Sequence, residues 1–177
     1  MCNNKNNIIG ILAYIAPELL NGSKPYTLAS DIYSFGVLMS VISTSQQPFN
    51  NHSNNLNLAT KICEGERPGF SINTPKFYIK LARKCMDADP DKRPTAEGVY
   101  EIINHWYISF HTQNFDESKS IKKEFDEMDK IKPSPSTITK TTSQNTIYTS
   151  SILSKVINLP QPVNSSKVTI IDNNNGN

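Results

Sequence analysis

The segment from Leu28 to Ile42 constrains the fold more than any other part of this 177-residue chain. On a helix with about 100° per residue, its apolar side chains point in every direction. Such a helix must be covered by other parts of a protein or lie in a membrane. The segment is too short and too rich in serine for a bilayer, which requires about 20 apolar residues. We therefore expect it at the centre of a packed helical domain.

End signals and helical periodicity surround this segment. Thr27 is the predicted N-cap of the central helix, which ends at about Ser43. Residues 56–63 predict a shorter helix that ends at Gly65. Thr74, followed by Pro75 at the first helical position, predicts the start of a third helix, and Thr95 predicts the start of a fourth.

The third and fourth helices each have one apolar face. The face of the third consists of Phe77, Leu81, Ala82, Cys85 and Met86. The face of the fourth consists of Val99, Ile102, Ile103, Trp106, Tyr107 and Phe110. No strand pattern of any strength is found in residues 16–110, so we predict an all-α segment.

Composition divides the chain into three regions. Residues 1–110 predict the folded part, and residues 111–132 predict a charged amphipathic helix or linker. Residues 133–177 are rich in serine, threonine and asparagine and predict a disordered tail, because they offer little apolar surface to bury. Within this tail, the four-residue apolar spacing over residues 148–157 would allow two helical turns.

Charge and cysteine content exclude several classes of function. A net charge of +2 indicates neither a nucleic-acid nor a membrane partner, and no signal peptide is evident, so we expect a cytoplasmic protein. The three cysteines form no C-x-x-C pair, which argues against a zinc site and a disulfide framework. Cys63 and Cys85 occupy apolar positions of helices, and we expect them to be buried as small hydrophobic side chains.

Four short motifs then suggest a family. Residues 16–18 read APE, residues 31–36 read DIYSFG, residues 47–49 read QPF, and residues 85–95 read CMDADPDKRPT. In this order and spacing they resemble the C-terminal lobe of a eukaryotic protein kinase domain, most closely its tyrosine-kinase-like branch. The resemblance covers about residues 9–107. It implies a helical lobe that is truncated at its N-terminal side and begins within the activation segment.

The resemblance also implies roles for individual residues. Glu18 and Arg93 match a buried ion pair that ties the activation segment to the helices behind it, because the planar arginine side chain suits a carboxylate; the alternative is two unrelated surface charges. Asp31 matches a carboxylate that binds backbone N–H groups of the catalytic loop. Without that loop, it would act only as a favourable charge in the first turn of the helix.

Part of the activation segment is implied to form a docking surface for a substrate peptide. Its candidate residues are Gly10, Ile11, Tyr14, Ala16 and Pro17. Ile11 departs from the pattern of serine/threonine kinases, which have a threonine there. The preference for serine, threonine or tyrosine acceptors is therefore left open.

The chain contains none of the motifs that perform phosphoryl transfer. G-x-G-x-x-G, V-A-I-K, H-R-D and D-F-G are all absent from the sequence, and in kinases all of them precede the Ala-Pro-Glu motif. We therefore predict no catalytic, cofactor-binding or metal-binding residue and no cofactor in this chain. ATP and magnesium are expected for the complete family domain.

Three functions follow as hypotheses. The first is a kinase-domain fragment whose parent transfers phosphate from ATP to a protein hydroxyl, while this chain alone is inactive. The second is a non-enzymatic kinase-like module that binds peptides or a partner kinase. The third is a helical adaptor unrelated to kinases. If the lobe is incomplete, an apolar face of the central helix should be exposed and favour an oligomer or a protein partner. That face involves some of Ile32, Phe35, Leu38, Met39 and Ile42.

Overall fold

The computed structural model describes residues 8–50, 52, 55–111, 122–124, 126, 150–153 and 158–171. Its α-helices in chain order are α1 (Pro17–Leu20), α2 (Leu28–Thr44), α3 (Asn55–Cys63), α4 (Lys76–Cys85) and α5 (Ala96–His111). Its strands are β1 (Ile8–Gly10), β2 (Phe70–Ser71), β3 (Ser151–Leu153) and β4 (Ile170–Ile171). Two 3₁₀ turns span Leu12–Tyr14 and Pro90–Lys92.

Helix α2 lies at the centre, as the distribution of its apolar residues predicts. It packs against α4, β2 and both 3₁₀ turns. Tyr33 and Val37 are buried on one face of it, and Met39 is buried on another. At its start, the backbone N–H of Thr27 donates to Ser30 Oγ at 3.3 Å. The C-cap of the helix is Ser45, whose φ of 53° is left-handed and stops further helical hydrogen bonding.

Gly36 allows α4 to approach α2 closely. A Cβ atom at this position would lie 2.6 Å from Met86 Cγ, 2.8 Å from the Ala82 carbonyl oxygen and 2.9 Å from Cys85 Cβ. Two of these neighbours are backbone or Cβ atoms, which cannot turn away as the end of a side chain can. The glycine of the DIYSFG motif therefore determines the spacing between the two helices.

The predicted helix boundaries agree with the structure to within about one residue. Pro75, with φ −56° and ψ 142°, is the N-cap of α4, so the helix begins at Lys76 and not at Pro75. The extended backbone of Pro75 explains the shift. Cys63 and Cys85 are both fully buried in the core, as predicted.

The buried face of α5 is narrower than its apolar residues predict. Val99 is buried, and Ile102 and Trp106 pack against the core. Ile103, Tyr107 and Phe110 of the predicted stripe are exposed instead. The helix contacts the lobe along one row of its surface, and Ser109 continues this row as a buried residue.

Two small sheets modify the all-α prediction. Strands β1 and β3 pair antiparallel, with Ile8 opposite Leu153, and β2 and β4 pair parallel, with Phe70 opposite Ile170. Strands of two or three residues are too short for an alternating pattern, and each partner is about 100 residues or more away in the sequence. The fold is nevertheless predominantly helical.

The tail differs from the prediction of disorder at two places. Residues 151–153 form a strand, so the two-turn helix predicted over residues 148–157 is wrong there. Residues 158–171 lie against the lobe and form hydrogen bonds with it, and the last two of them form a strand. Between α5 and the tail, residues 122–124 are helical, and the rest of the linker region at 112–132, apart from residue 126, lies outside the described residues.

The predicted exposed face of α2 is present only in part. Leu38 and Ile42 are 46% and 71% exposed. Ile32 and Met39 are buried, and Phe35 is half-buried and packs against the core. Among the described residues, no helix has the length and apolar character needed to cross a bilayer.

Candidate functional site

Glu18 and Arg93 form a buried ion pair between the start of the lobe and the loop before α5. Arg93 Nη1 donates to Glu18 Oε1 at 2.8 Å, and Arg93 Nη2 donates to Glu18 Oε2 at 2.7 Å. The side chains are 2% exposed at Glu18 and 0% at Arg93. Two parallel hydrogen bonds fix the orientation as well as the distance of the pair. The pairing that the resemblance implies is therefore present, across 75 positions of sequence.

Arg93 also binds the backbone of two other elements. Its Nη1 donates to the Ala29 carbonyl oxygen in the first turn of α2, and its Nε donates to the Asp87 carbonyl oxygen, both at 2.8 Å. A single guanidinium group thus joins α1, α2 and the loop after α4. Removing it would leave the buried Glu18 carboxylate without its countercharge, a costly state for a charge that is shielded from water.

Two serines of α2 complete the attachment of residues 10–18. Ser30 Oγ donates to Glu18 Oε1 at 3.2 Å, and Ser34 Oγ donates to the Tyr14 carbonyl oxygen at 2.8 Å. Both hydroxyls lie on the side of α2 that faces this segment, four residues apart, which is the spacing of one helical turn. The segment is therefore held by side-chain hydrogen bonds as well as by apolar packing.

Tyr33 lies between two arginines, an arrangement that sequence reasoning missed. The guanidinium carbons of Arg67 and Arg93 lie 5.4 and 5.2 Å from the ring centroid of this fully buried tyrosine. These distances are within the range of cation–π attraction. Burial raises the pKa of Tyr33, and the two arginines oppose that shift only in part.

Arg67 is the second buried arginine of the lobe. Its Nε donates to the Met86 carbonyl oxygen at 2.9 Å, and its Nη1 donates to the carbonyl oxygens of Ile62 and Glu66 at 2.7 and 2.8 Å. It therefore connects the end of α3 with the end of α4. The signal that could have found it is an arginine followed by proline, two residues after the glycine that ends α3.

The candidate docking residues occupy one continuous stretch in front of α2. Gly10 ends β1, Ile11 precedes a 3₁₀ turn, and Tyr14 ends that turn. These three residues are half-buried, whereas Ala16 and Pro17 are buried. Burial raises the pKa of Tyr14. The accessible surface of these candidate residues therefore comes from Gly10, Ile11 and Tyr14, and residues 16–18 serve as the buried anchor.

Asp31 lies in the first turn of α2 and is exposed. It accepts a hydrogen bond from the Tyr26 hydroxyl. A carboxylate here interacts favourably with the positive end of the helix dipole. This is the more limited of the two roles that the sequence allows for Asp31.

The chemistry available at this site is that of a scaffold. Its charged groups neutralise each other within the pair, and its serines bind carboxylate or carbonyl oxygens. Among the described residues, no group of three histidine, cysteine, aspartate or glutamate side chains has the geometry to hold a metal ion. What this geometry can provide is a rigid attachment of residues 10–18 to the helices behind them.

Comparison with known proteins identifies the family. A family model described as "Protein kinase domain" matches residues 2–108, more than half of the chain. The human receptor-interacting serine/threonine-protein kinase 1 is 37% identical over 122 residues, which cover 66% of this chain and 18% of that protein. A putative mitogen-activated protein kinase kinase kinase 7-like protein of Drosophila melanogaster is 33% identical over 122 residues, covering 65% and 30%.

A third relative is a putative serine/threonine-protein kinase/receptor of Acanthamoeba polyphaga mimivirus. It is 37% identical over 95 residues, which cover 54% of this chain and 6% of that protein. The chain thus spans less than a third of the length of each of these three relatives. The chain belongs to the protein kinase family, and its described helices form the fold of a kinase C-terminal lobe.

Proposed function

We propose that this chain supplies the C-terminal-lobe scaffold of a protein kinase domain in the tyrosine-kinase-like branch. The complete domain would transfer phosphate from ATP to a hydroxyl group of a protein, in cytoplasmic signalling. The observation that carries the proposal is the double hydrogen bond between Glu18 and Arg93. It attaches residues 10–18 to α2 rigidly, as the presentation of an acceptor peptide to a catalytic centre requires.

The 177-residue chain would not perform the transfer alone. Phosphoryl transfer needs a cradle for the phosphates, ligands for magnesium and an aspartate that positions the attacking hydroxyl. None of the sequence motifs that provide these groups occurs in these 177 residues. In a complete domain, ATP and magnesium would be bound by residues other than these 177, and Gly10, Ile11, Tyr14, Ala16 and Pro17 would contribute to acceptor docking.

A lobe exchange tests this role directly. Residues 8–111 would replace the matching part of the human receptor-interacting serine/threonine-protein kinase 1. We expect the hybrid to phosphorylate a protein substrate, and we expect Arg93→Met in the hybrid to abolish this activity while Lys92→Met leaves it unchanged. A hybrid that melts cooperatively but transfers no phosphate would contradict the proposal.

Calorimetry tests the inactivity of the chain itself. We expect the purified 177-residue chain to give no saturable heat on titration with magnesium and ATP. Binding at micromolar concentrations would mean that this lobe contains a nucleotide site of its own, and would contradict the division of roles proposed here.

A second candidate function, an interaction module without catalysis, is supported by the exposed side chains of Leu38 and Ile42 on α2. Apolar side chains grouped on one helix face are suited to a protein partner or a second copy. We expect the molar mass of the chain to rise with concentration, and we expect replacement of both residues by lysine to prevent this. Tyr100→Lys, at an exposed position of α5, is the matched control.

A further inference from the structure

Residues 158–171, called here the tail segment, lie in a groove of the lobe. The floor and walls of the groove are formed by the end of α3 with Gly65, by Gly69 with β2, and by Arg83, Asp87 and Ala88 around the end of α4. At the far end of the segment, β4 extends β2 as a parallel strand. The Phe70 N–H donates to the Thr169 carbonyl oxygen at 2.9 Å, and the Ile72 N–H donates to the Ile171 carbonyl oxygen at 3.0 Å.

The middle of the tail segment is held through its backbone at two residues. The Val163 N–H donates to the Cys63 carbonyl oxygen at 2.9 Å. Two residues further on, Arg83 Nη2 donates to the Ser165 carbonyl oxygen at 2.6 Å. The lobe thus pairs with backbone groups on both sides of Asn164.

Asn164 supplies the sequence-specific contact. Its Oδ1 accepts a hydrogen bond from the Ala88 N–H at 2.8 Å, and its Nδ2 donates to Asp87 Oδ1 at 3.0 Å. This site requires an acceptor and a donor on one short side chain, which an aspartate or a leucine cannot provide. The carbonyl oxygen of the same Asp87 is bound by Arg93. The residue that recognises Asn164 is therefore held in place by the ion pair of the scaffold.

Two glycines of the lobe leave room for this backbone. A Cβ atom at Gly65 would lie 2.7 Å from the Ser165 nitrogen, and one at Gly69 would lie 2.9 Å from the Ile171 side chain and 3.0 Å from the Thr169 carbonyl oxygen. Gly65 is also required for a second reason, because its φ of +96° after the end of α3 is a conformation that favours glycine. Gly69 has no positive φ, so its missing side chain is explained here by the close approach of the tail segment.

We propose that this groove is a binding site for an extended peptide and that the chain's own tail segment occupies it as a displaceable ligand. The mode is addition of a strand to an exposed edge, in which backbone hydrogen bonds provide most of the attraction and one side chain provides the specificity. A competing peptide must carry an asparagine at the Asn164 position, and its other side chains contribute less to recognition.

The modest burial of the tail segment makes it exchangeable. Leu159 packs against the core, but Val163, Val168 and Ile170 are 51%, 44% and 47% exposed. Affinity that rests on a few backbone contacts must offset the entropy lost on ordering the segment. A segment of the same chain has the advantage of a local concentration on the order of millimolar, which a free peptide lacks. Weakening the cis segment should therefore open the groove to a peptide in trans.

The test uses a fluorescent peptide of residues 158–171 and full-length chains. The first chain is wild type, the second carries Asn164→Asp, and the third carries Ser166→Asp as a control. Ser166 is exposed, so the control adds the same charge two residues away. In Asn164→Asp, the new carboxylate faces that of Asp87 and cannot donate. A fourth chain combines Asn164→Asp with Gly69→Val, which narrows the groove.

We expect Asn164→Asp to bind the peptide at least tenfold more tightly than the wild type and Ser166→Asp do, and we expect Gly69→Val to abolish that gain. Amide exchange at Phe70, Ile72 and Val163 should be slow in the wild type and fast in Asn164→Asp. Equal binding by all chains, no binding by Asn164→Asp, or unchanged exchange in that variant would each overturn the proposal. A dimeric wild type that Asn164→Asp converts to a monomer would also overturn it, since the occupant would then be a second copy.

Discussion

The Glu18–Arg93 junction and the groove of the tail segment both join residues that are far apart in the sequence. They differ in the groups that make the contact. The junction joins two charged side chains, both nearly inaccessible to water, through a double hydrogen bond. The groove joins mainly backbone groups and a single asparagine side chain. We infer from the comparison that loss of the buried pair would destabilise the lobe, whereas the backbone contacts at the surface would allow the tail segment to exchange.

Breaking the Glu18–Arg93 junction should lower the stability of the protein more than any other change considered below. We expect Arg93→Met to lower the free energy of unfolding by about 3–5 kcal/mol, because the Glu18 carboxylate would remain buried without a countercharge. Urea denaturation provides the measurement. Lys92→Met is the matched control, since Lys92 is exposed, and it should cost less than about 1 kcal/mol. Equal costs for the two variants would contradict the description of the junction as buried.

Gly36→Ala should have the next largest effect. The added methyl group would meet the Ala82 carbonyl oxygen and Cys85 Cβ, and we expect a loss of about 1–3 kcal/mol from overpacking. Gly98→Ala in α5 is the control, because a Cβ there has no neighbour closer than 3.5 Å. That change should stabilise the protein by up to about 1 kcal/mol, the gain for alanine over glycine in a helix. Chemical denaturation of both variants would reveal whether the signs differ.

The junction could be predicted because it is formed by two charged side chains that lie in recognisable sequence motifs. Ala16-Pro17-Glu18 and the arginine of CMDADPDKRPT are short, recognisable signals, and a buried charge requires a partner. The central position of α2 followed from its apolar residues in the same way. Arg67 was missed because its partners are carbonyl oxygens, which every residue possesses.

The groove could not be predicted, because most of its contacts are made by backbone groups. Residues 158–171 belong to a region, residues 133–177, whose richness in serine, threonine and asparagine indicates disorder. Their contacts are made by backbone N–H and carbonyl groups, by Asn164 and by the space above Gly69. None of these has a periodic pattern. For Ile103 and Tyr107 the sequence predicted too much contact, since both belong to a periodic apolar stripe but are exposed. A periodic stripe does not reveal how much of the protein is available to cover it.

Alkaline pH should lower the free energy of unfolding, because two thiols are buried in the core. Burial raises the pKa of the Cys63 and Cys85 thiols to about 11, from an ordinary value of 9.0. The folded protein keeps both protons where the unfolded chain loses them. The stability is therefore complete below about pH 9 and falls as the pH rises toward 11. Urea titrations at pH 8, 9 and 10 should show this decline, and Cys63→Ala with Cys85→Ala should make it shallower. An unchanged slope in that double variant would contradict the assignment.

The smallest effect is expected at the surface. Lys24 Nζ lies 2.9 Å from Asp91 Oδ2 and 3.7 Å from Asp89 Oδ1, and all three side chains are substantially exposed. We expect Lys24→Ala to change the free energy of unfolding only slightly, because exposed ion pairs contribute little to stability. Added salt should reduce even that difference, because exposed charges are screened. A larger, salt-independent loss would mean that Lys24 has a role beyond this surface pair.

A double-mutant cycle on Glu18 and Arg93 tests the central claim most directly, namely that this buried pair holds the lobe together. The free energies of unfolding of wild type, Glu18→Gln, Arg93→Met and the double variant would be measured in urea. Since each single change leaves one partner unmatched, we expect the double variant to be more stable than the sum of the single losses predicts, by about 2 kcal/mol or more, toward the upper end of the usual coupling range. Additivity within about 0.5 kcal/mol would contradict that claim, because it would mean that the two side chains act independently.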